Sequence, residues 1–208
     1  TAVFYTSDHG DMAGRHEMWW KTNFYEDSVG VPLIASWPGR LAEGVEVRQA
    51  ASLLDVGPTL LELAGAGPLP RVSGRSLAAF LRGQGAPPGW RDEVFSELHG
   101  DRGDPPARMI CRGPWKLVHF HGYDEPQLFN IEEDPDEIHD RARDPASASV
   151  RDELHARVRE GWSGQRVVDA MALLRERTRV LKAWSQAVRP PDPDHWVAPE
   201  GCNVFPET

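Results

Sequence analysis

Apolar and polar positions change their spacing several times along the chain. Val3-Phe4-Tyr5 is a short run of β-branched and aromatic residues, which predicts a buried strand. A second apolar run over residues 31–35 predicts another, closed by the Pro38-Gly39 turn. Glu46-Val47-Arg48 predicts a short polar edge. From Val56 the spacing becomes helical: Val56, Leu60, Leu61, Leu63 and Ala64 form one stripe, with Gly65 to end it. Ser52 and Asp55 precede it at the spacing of a capping box. Pro58 is compatible, because N–H groups of the first helical turn have no internal partner. Residues 75–81 predict a second short helix, stopped by Gly83.

Gly85-Ala86-Pro87-Pro88-Gly89 punctuates the chain as a linker, and beyond it the period falls to two. Residues 93–98 alternate, residues 108–112 and 115–120 flank a Gly113-Pro114 hairpin signal, and residues 127–130 add a short strand. An antiparallel sheet of about four strands is expected. Val150, Leu154, Val158 and Trp162 recur every fourth residue and predict a helix covering that sheet. Val167, Met171, Leu174, Thr178, Leu181 and Val188 lie on one stripe of a second helix, and the proline-rich stretch from Pro190 predicts an extended tail.

At 208 residues there is room for one substantial core, or for one core and a small satellite. The net charge of −9 argues against a nucleic-acid partner, which requires a cationic surface. No apolar stretch is long enough to span a membrane, and no lipidation signal is present. Two distant cysteines, Cys111 and Cys202, are expected to be free, which favours a cytoplasmic setting.

The chemistry concentrates where the first strand ends, at Asp8-His9-Gly10. Strand neighbours point to opposite faces, so Asp8 and His9 can share an ion only if the chain turns there, which Gly10 permits. A carboxylate beside an imidazole is a plausible half of a metal site, and strand ends are where open α/β sheets bind ligands. Asp-His-Gly alone also fits a simple turn, with Asp8 bonding the backbone. His16 to Lys21 then brings a cation and the aromatics Trp19 and Trp20 a short loop away.

Thr6-Ser7-Asp8-His9-Gly10-Asp11-Met12, Trp19-Trp20-Lys21, Tyr25-Glu26-Asp27-Ser28 and Val31-Pro32-Leu33-Ile34 together resemble the sulfatase family of the alkaline-phosphatase superfamily. The wording is nearest its choline-sulfatase and phosphonate-monoester-hydrolase branches. Gly74-Arg75-Ser76-Leu77, Arg112-Gly113-Pro114-Trp115-Lys116-Leu117 and Asp134-Pro135-Asp136-Glu137 fit the same template, so the likeness runs to about residue 145. It implies an α/β fold: the carboxy-terminal part of an alkaline-phosphatase-like α/β/α sandwich with a small antiparallel-sheet plus helix subdomain. Residues 1–89 would belong to the catalytic domain, 90–189 to the small subdomain and 190–208 to the tail.

The resemblance also implies the roles. Asp8 and His9 would ligate one divalent cation, Ca²⁺ or Mn²⁺ with Mg²⁺ as a third candidate, and Lys21 would bind the ester's anionic oxygens as a catalytic group. His16 and Glu97 are substrate-binding candidates; His99 is given a structural role. Trp19, Trp20 and Trp196 could wall a pocket for a cationic leaving group, while His119 and His121 share a strand face without a carboxylate and make a poor metal site. The family's formylglycine nucleophile motif is matched by neither Cys111 nor Cys202, so the chain is expected to be a carboxy-terminal fragment, inactive alone. The expected substrate is a small sulfate or phosphonate ester, with no nucleic-acid or membrane partner, and homo-oligomerisation would use the carboxy-terminal region. Two rivals stand beside this: a phosphomonoesterase or phosphodiesterase of the same superfamily, and a non-catalytic split-gene fragment acting as an assembly partner.

Overall fold

The computed structural model of the protein describes residues 1–100 and 104–189. The tail with Trp196 and Cys202 lies outside them. Two compact units are present, Thr1–Val168 and Asp169–Thr208. In the first, a two-stranded antiparallel sheet joins β1 (Val3–Thr6) to β2 (Leu33–Ser36), with the single turn α1 (Glu26–Val29) between them. Helices α2 (Val56–Leu63) and α3 (Ala78–Leu81) follow, then the antiparallel sheet β3 (Glu93–Leu98), β4 (Ala107–Arg112), β5 (Trp115–Phe120) and β6 (Gln127–Asn130) in that spatial order. Helix α4 (Ala148–Arg159) covers it, and α5 (Gly164–Val188) is the last described element.

The four-stranded sheet follows its period. Ile110, Leu117 and Leu128 point to one face and are fully buried there against Leu154 and Val158 of α4. Each such side chain contributes about 1.5–3 kcal/mol through removal from water. The opposite face carries Ala107, Met109 and Val118, packed against Phe24. That second contact docks the loop between β1 and β2 onto the sheet, and it is what places the site.

Three expectations are corrected. β1 is not buried: Val3 and Tyr5 are 58% and 63% exposed, because Tyr5 pairs with an equally open Ile34 and the sheet has only two strands. Residues 46–48 form no strand; Arg48 instead pairs with its neighbour Glu46 at 3.1 Å. Of the helix expected over 75–81 only the last turn, α3, forms; ahead of it Arg75 N–H donates to Asp55 Oδ1 (2.7 Å) and Leu77 N–H to Thr59 Oγ1 (2.8 Å). The second expected helix forms as α5, with Leu174, Leu181 and Val188 all more than half exposed. No helix among the described residues is long and apolar enough to cross a membrane.

Candidate active site

The loop from residue 8 to 28 is held by a small number of directed contacts. Gly10 N–H donates to the Ser28 carbonyl at 2.9 Å. A Cβ on Gly10 would lie 2.0 Å from the Asp27 carbonyl oxygen, so glycine is required by close backbone approach rather than by an unusual φ. The buried Ser28 hydroxyl reaches the Lys21 carbonyl at 2.7 Å. Ser28 thus binds both ends of the loop, and Met12, fully buried, anchors its middle. Between these anchors Ala13, His16, Glu17 and Trp20 all have positive φ, from 46° to 71°. Strain of this kind persists only where surrounding contacts over-determine the backbone, and it clusters at functional sites.

Asp8, His9 and Lys21 converge. His9 Nδ1 lies 2.7 Å from the Gly10 carbonyl, which can only accept, so Nδ1 carries the proton and Nε2 the lone pair. Asp8 Oδ2 stands 3.5 Å from Nε2, with the Asp8 side chain 84% exposed. The Lys21 ammonium donates to the same nitrogen. One imidazole lone pair therefore faces a carboxylate while a cation is seated on it. That donor set suits a divalent ion: an Nδ1–H bonded to a carbonyl is the usual outer-shell arrangement of a histidine ligand. Among the described residues no group of three or more His, Cys, Asp or Glu side chains is placed to hold an ion.

Residues 14–163 match the family model described as N-sulphoglucosamine sulphohydrolase, C-terminal. The chain belongs to the sulfatase family. This sulfatase chain is 32% identical over 203 residues to the choline-sulfatase of Rhizobium meliloti (strain 1021), covering 96% of the chain and 36% of that protein. Mouse arylsulfatase K is 37% identical over 148 residues, covering 66% of the chain and 26% of that protein. The crystal structure of the phosphonate monoester hydrolase of Agrobacterium radiobacter superimposes with a TM-score of 0.67 at 32% identity, over 76% of this chain and 34% of that one. The chain thus spans about a quarter to a third of the length of these relatives.

The remaining candidates in the sulfatase chain are placed elsewhere or otherwise employed. His16 stacks on Tyr25, ring centroids 4.0 Å apart, and Tyr25 in turn meets Phe129 at 6.2 Å. Glu97 pairs with Arg108 at 3.1 Å, and Arg108 is also bound to the Val158 carbonyl and lies over Phe95. A cleft of about 380 Å³ includes Glu97 in its wall but neither His9 nor Lys21. Trp19 and Trp20 are 69% and 74% exposed, so neither is core. His119 contacts His155 and Trp162, a packing role.

Sequence reasoning missed Ser28 and Lys116, the two residues that fasten the loop. A signal existed for Lys116: strand alternation puts it on the same face as Val118, an apolar face on which an unpaired lysine would be costly.

Proposed function

We propose that this chain is part of a metal-dependent hydrolase of sulfate monoesters. The observation that carries the reading is the convergence of Asp8, His9 and Lys21, with the His9 lone pair turned toward both charged partners. Asp8 and His9 would hold part of the coordination of a divalent cation, Ca²⁺ or Mn²⁺ with Mg²⁺ as the third candidate, which supplies positive charge to an ester oxygen when bound. Lys21 would set its ammonium against the charge that develops on the bridging oxygen as the sulfur–oxygen bond breaks. The Gly10 carbonyl keeps His9 in one tautomer, and Ser28 keeps Lys21 within reach of it. By family resemblance the nucleophile would be a formylglycine, and neither Cys111 nor Cys202 lies in that motif. The substrate is a small sulfated molecule.

A second reading, hydrolysis of phosphonate monoesters or phosphodiesters, is favoured by the likeness to the Agrobacterium phosphonate monoester hydrolase. One assay series separates the two. The full-length protein is tested on an aryl sulfate and on an aryl phosphonate monoester, with Lys21→Ala alongside and metal content measured in both. Preferential turnover of the sulfate, lowered ~10²–10³-fold in kcat/KM by Lys21→Ala with metal retained, is expected. Full activity in the variant would remove Lys21 from the chemistry, and preference for the phosphonate would select the second reading.

A further inference from the structure

Lys116 is a charged side chain with no exposure at all, set in the apolar strand β5. Its ammonium donates to the Phe24 carbonyl at 2.8 Å and forms ion pairs with Glu26 Oε1 at 2.7 Å and Glu137 Oε1 at 2.6 Å. Glu137 is itself buried, and its second oxygen accepts from the Glu26 N–H at 2.6 Å. It takes this place with φ at 51°, a conformation that a non-glycine residue holds only when its contacts demand it. Residues 24–26 are therefore gripped at one carbonyl, one N–H and one carboxylate. Two residues on, Ser28 carries the grip to the site: its hydroxyl binds the Lys21 carbonyl and its carbonyl receives Gly10 N–H.

We propose that Lys116, through Glu26 and Glu137, is a positioning residue for Lys21 and His9, holding the α1 turn that sets the approach of the ammonium to the imidazole. The chemistry of the cluster supports positioning over stability. Taking one ammonium and a carboxylate out of water costs several kcal/mol per ion, and well-packed apolar side chains of similar volume usually hold a fold as well or better. Apolar packing has no direction, however. A hydrogen bond to the Phe24 carbonyl and two close ion pairs fix where each partner stands, which Phe24 packing alone does not. An error of ~1 Å in a reacting group is worth ~10²-fold in rate. The inference rests on the sulfate-ester reading for its kinetic consequence, but not for its geometric one.

The test uses the full-length protein with Lys116→Met, Glu137→Gln and both together. Met fills the space of the lysine stem without its charge. Gln cannot accept from both Lys116 and Glu26 N–H, so it breaks one contact of the grip while keeping the shape. Ring ¹⁵N signals of His9 are recorded by NMR, and kcat and KM are measured on an aryl sulfate well below the melting temperature. The positioning role predicts shifted His9 ring signals in each single variant, a kcat lowered ~10–100-fold and a KM changed far less. The double variant, which leaves no unpaired buried charge, should regain thermal stability without regaining kcat. Unchanged His9 signals and kcat in folded Lys116→Met, or in Glu137→Gln should the first not fold, would overturn the proposal. If the wild-type protein turns over no sulfate ester, the functional reading fails, and the His9 signals alone still decide the positioning role.

Discussion

His155 Nε2 lies 3.1 Å from His119 Nδ1, across the contact between α4 and β5. At this distance one ring donates and the other accepts, so the accepting ring is neutral. Burial pushes the His119 pKa down to about 4, helped by His155, Arg159 and His121. His155 is lowered as well, by burial and by Arg159 and Arg151, with Asp152 opposing. Unfolded, each imidazole takes its proton near ~6.5. Between that value and about 4 the unfolded chain binds more protons than the folded one, so stability falls as pH falls through this window. Melting temperatures at pH 7 and pH 5 should show a drop that His119→Phe reduces, since Phe keeps the ring against Trp162 and removes the titration. Equal drops in both proteins would mean the pair does not sense pH.

Gly10→Ala should loosen the site directly. The added methyl would meet Asp27 and Gly30 carbonyl oxygens at 2.0 and 3.2 Å, backbone atoms that cannot rotate away. The bond from Gly10 N–H to Ser28 would lengthen, with an expected loss of ~1–3 kcal/mol of stability. Gly57→Ala is the control: it lies in α2 with nothing within 4 Å of the new methyl, and should be neutral or stabilising by ~0.5–1 kcal/mol. Urea unfolding of both variants checks the contrast.

How far the sequence exposed this arrangement depends on the range of the contacts involved. The strands β3 to β6 were legible because alternation and the Gly113-Pro114 hairpin are local, and the capping box before α2 forms as its spacing predicts. Residues 75–77 are held outside the helix in a segment tied to Asp55 and Thr59 through the Arg75 and Leu77 N–H groups, about twenty positions away, and local propensity carries no trace of that. The Asp8-His9-Gly10 and Lys21 motifs pointed to a site, yet their approach is set by Ser28. Lys116 showed only as a polar break in a strand, because nothing local announces that residues 24–29 cover that face.

Asp55 should be intolerant of even an isosteric change. Its carboxylate is buried, with Oδ2 accepting from Ser52 N–H at 2.8 Å and Oδ1 from Arg75 N–H at 2.7 Å. Asp55→Asn keeps one acceptor and turns an NH₂ group toward the other donor. A loss of ~1–3 kcal/mol is expected, the cost of a buried group left unsatisfied. Ser52→Ala removes only the cap to Leu54 and should cost ~1 kcal/mol. If chemical denaturation ranks the two variants in the opposite order, the bridge from Asp55 to Arg75 carries less than its geometry indicates.

Cys111 offers a probe of the buried face on which Lys116 sits. The strand register pairs the two residues, and the thiol is free. Burial raises its pKa to about 11, with Glu26 adding to the rise and the Lys116 ammonium opposing it. Only the thiolate alkylates, so at pH 8 the native thiol should react with iodoacetamide ~10²-fold more slowly than an unperturbed cysteine. The measurement is made on Cys202→Ser of this 208-residue chain, in which Cys111 is then the single cysteine. Urea should restore the ordinary rate as the sheet opens. Lys116→Met should slow the native reaction further, because the cation that favours the thiolate is gone. A native rate equal to that in urea would show that Cys111 is neither buried nor under the field of that cluster.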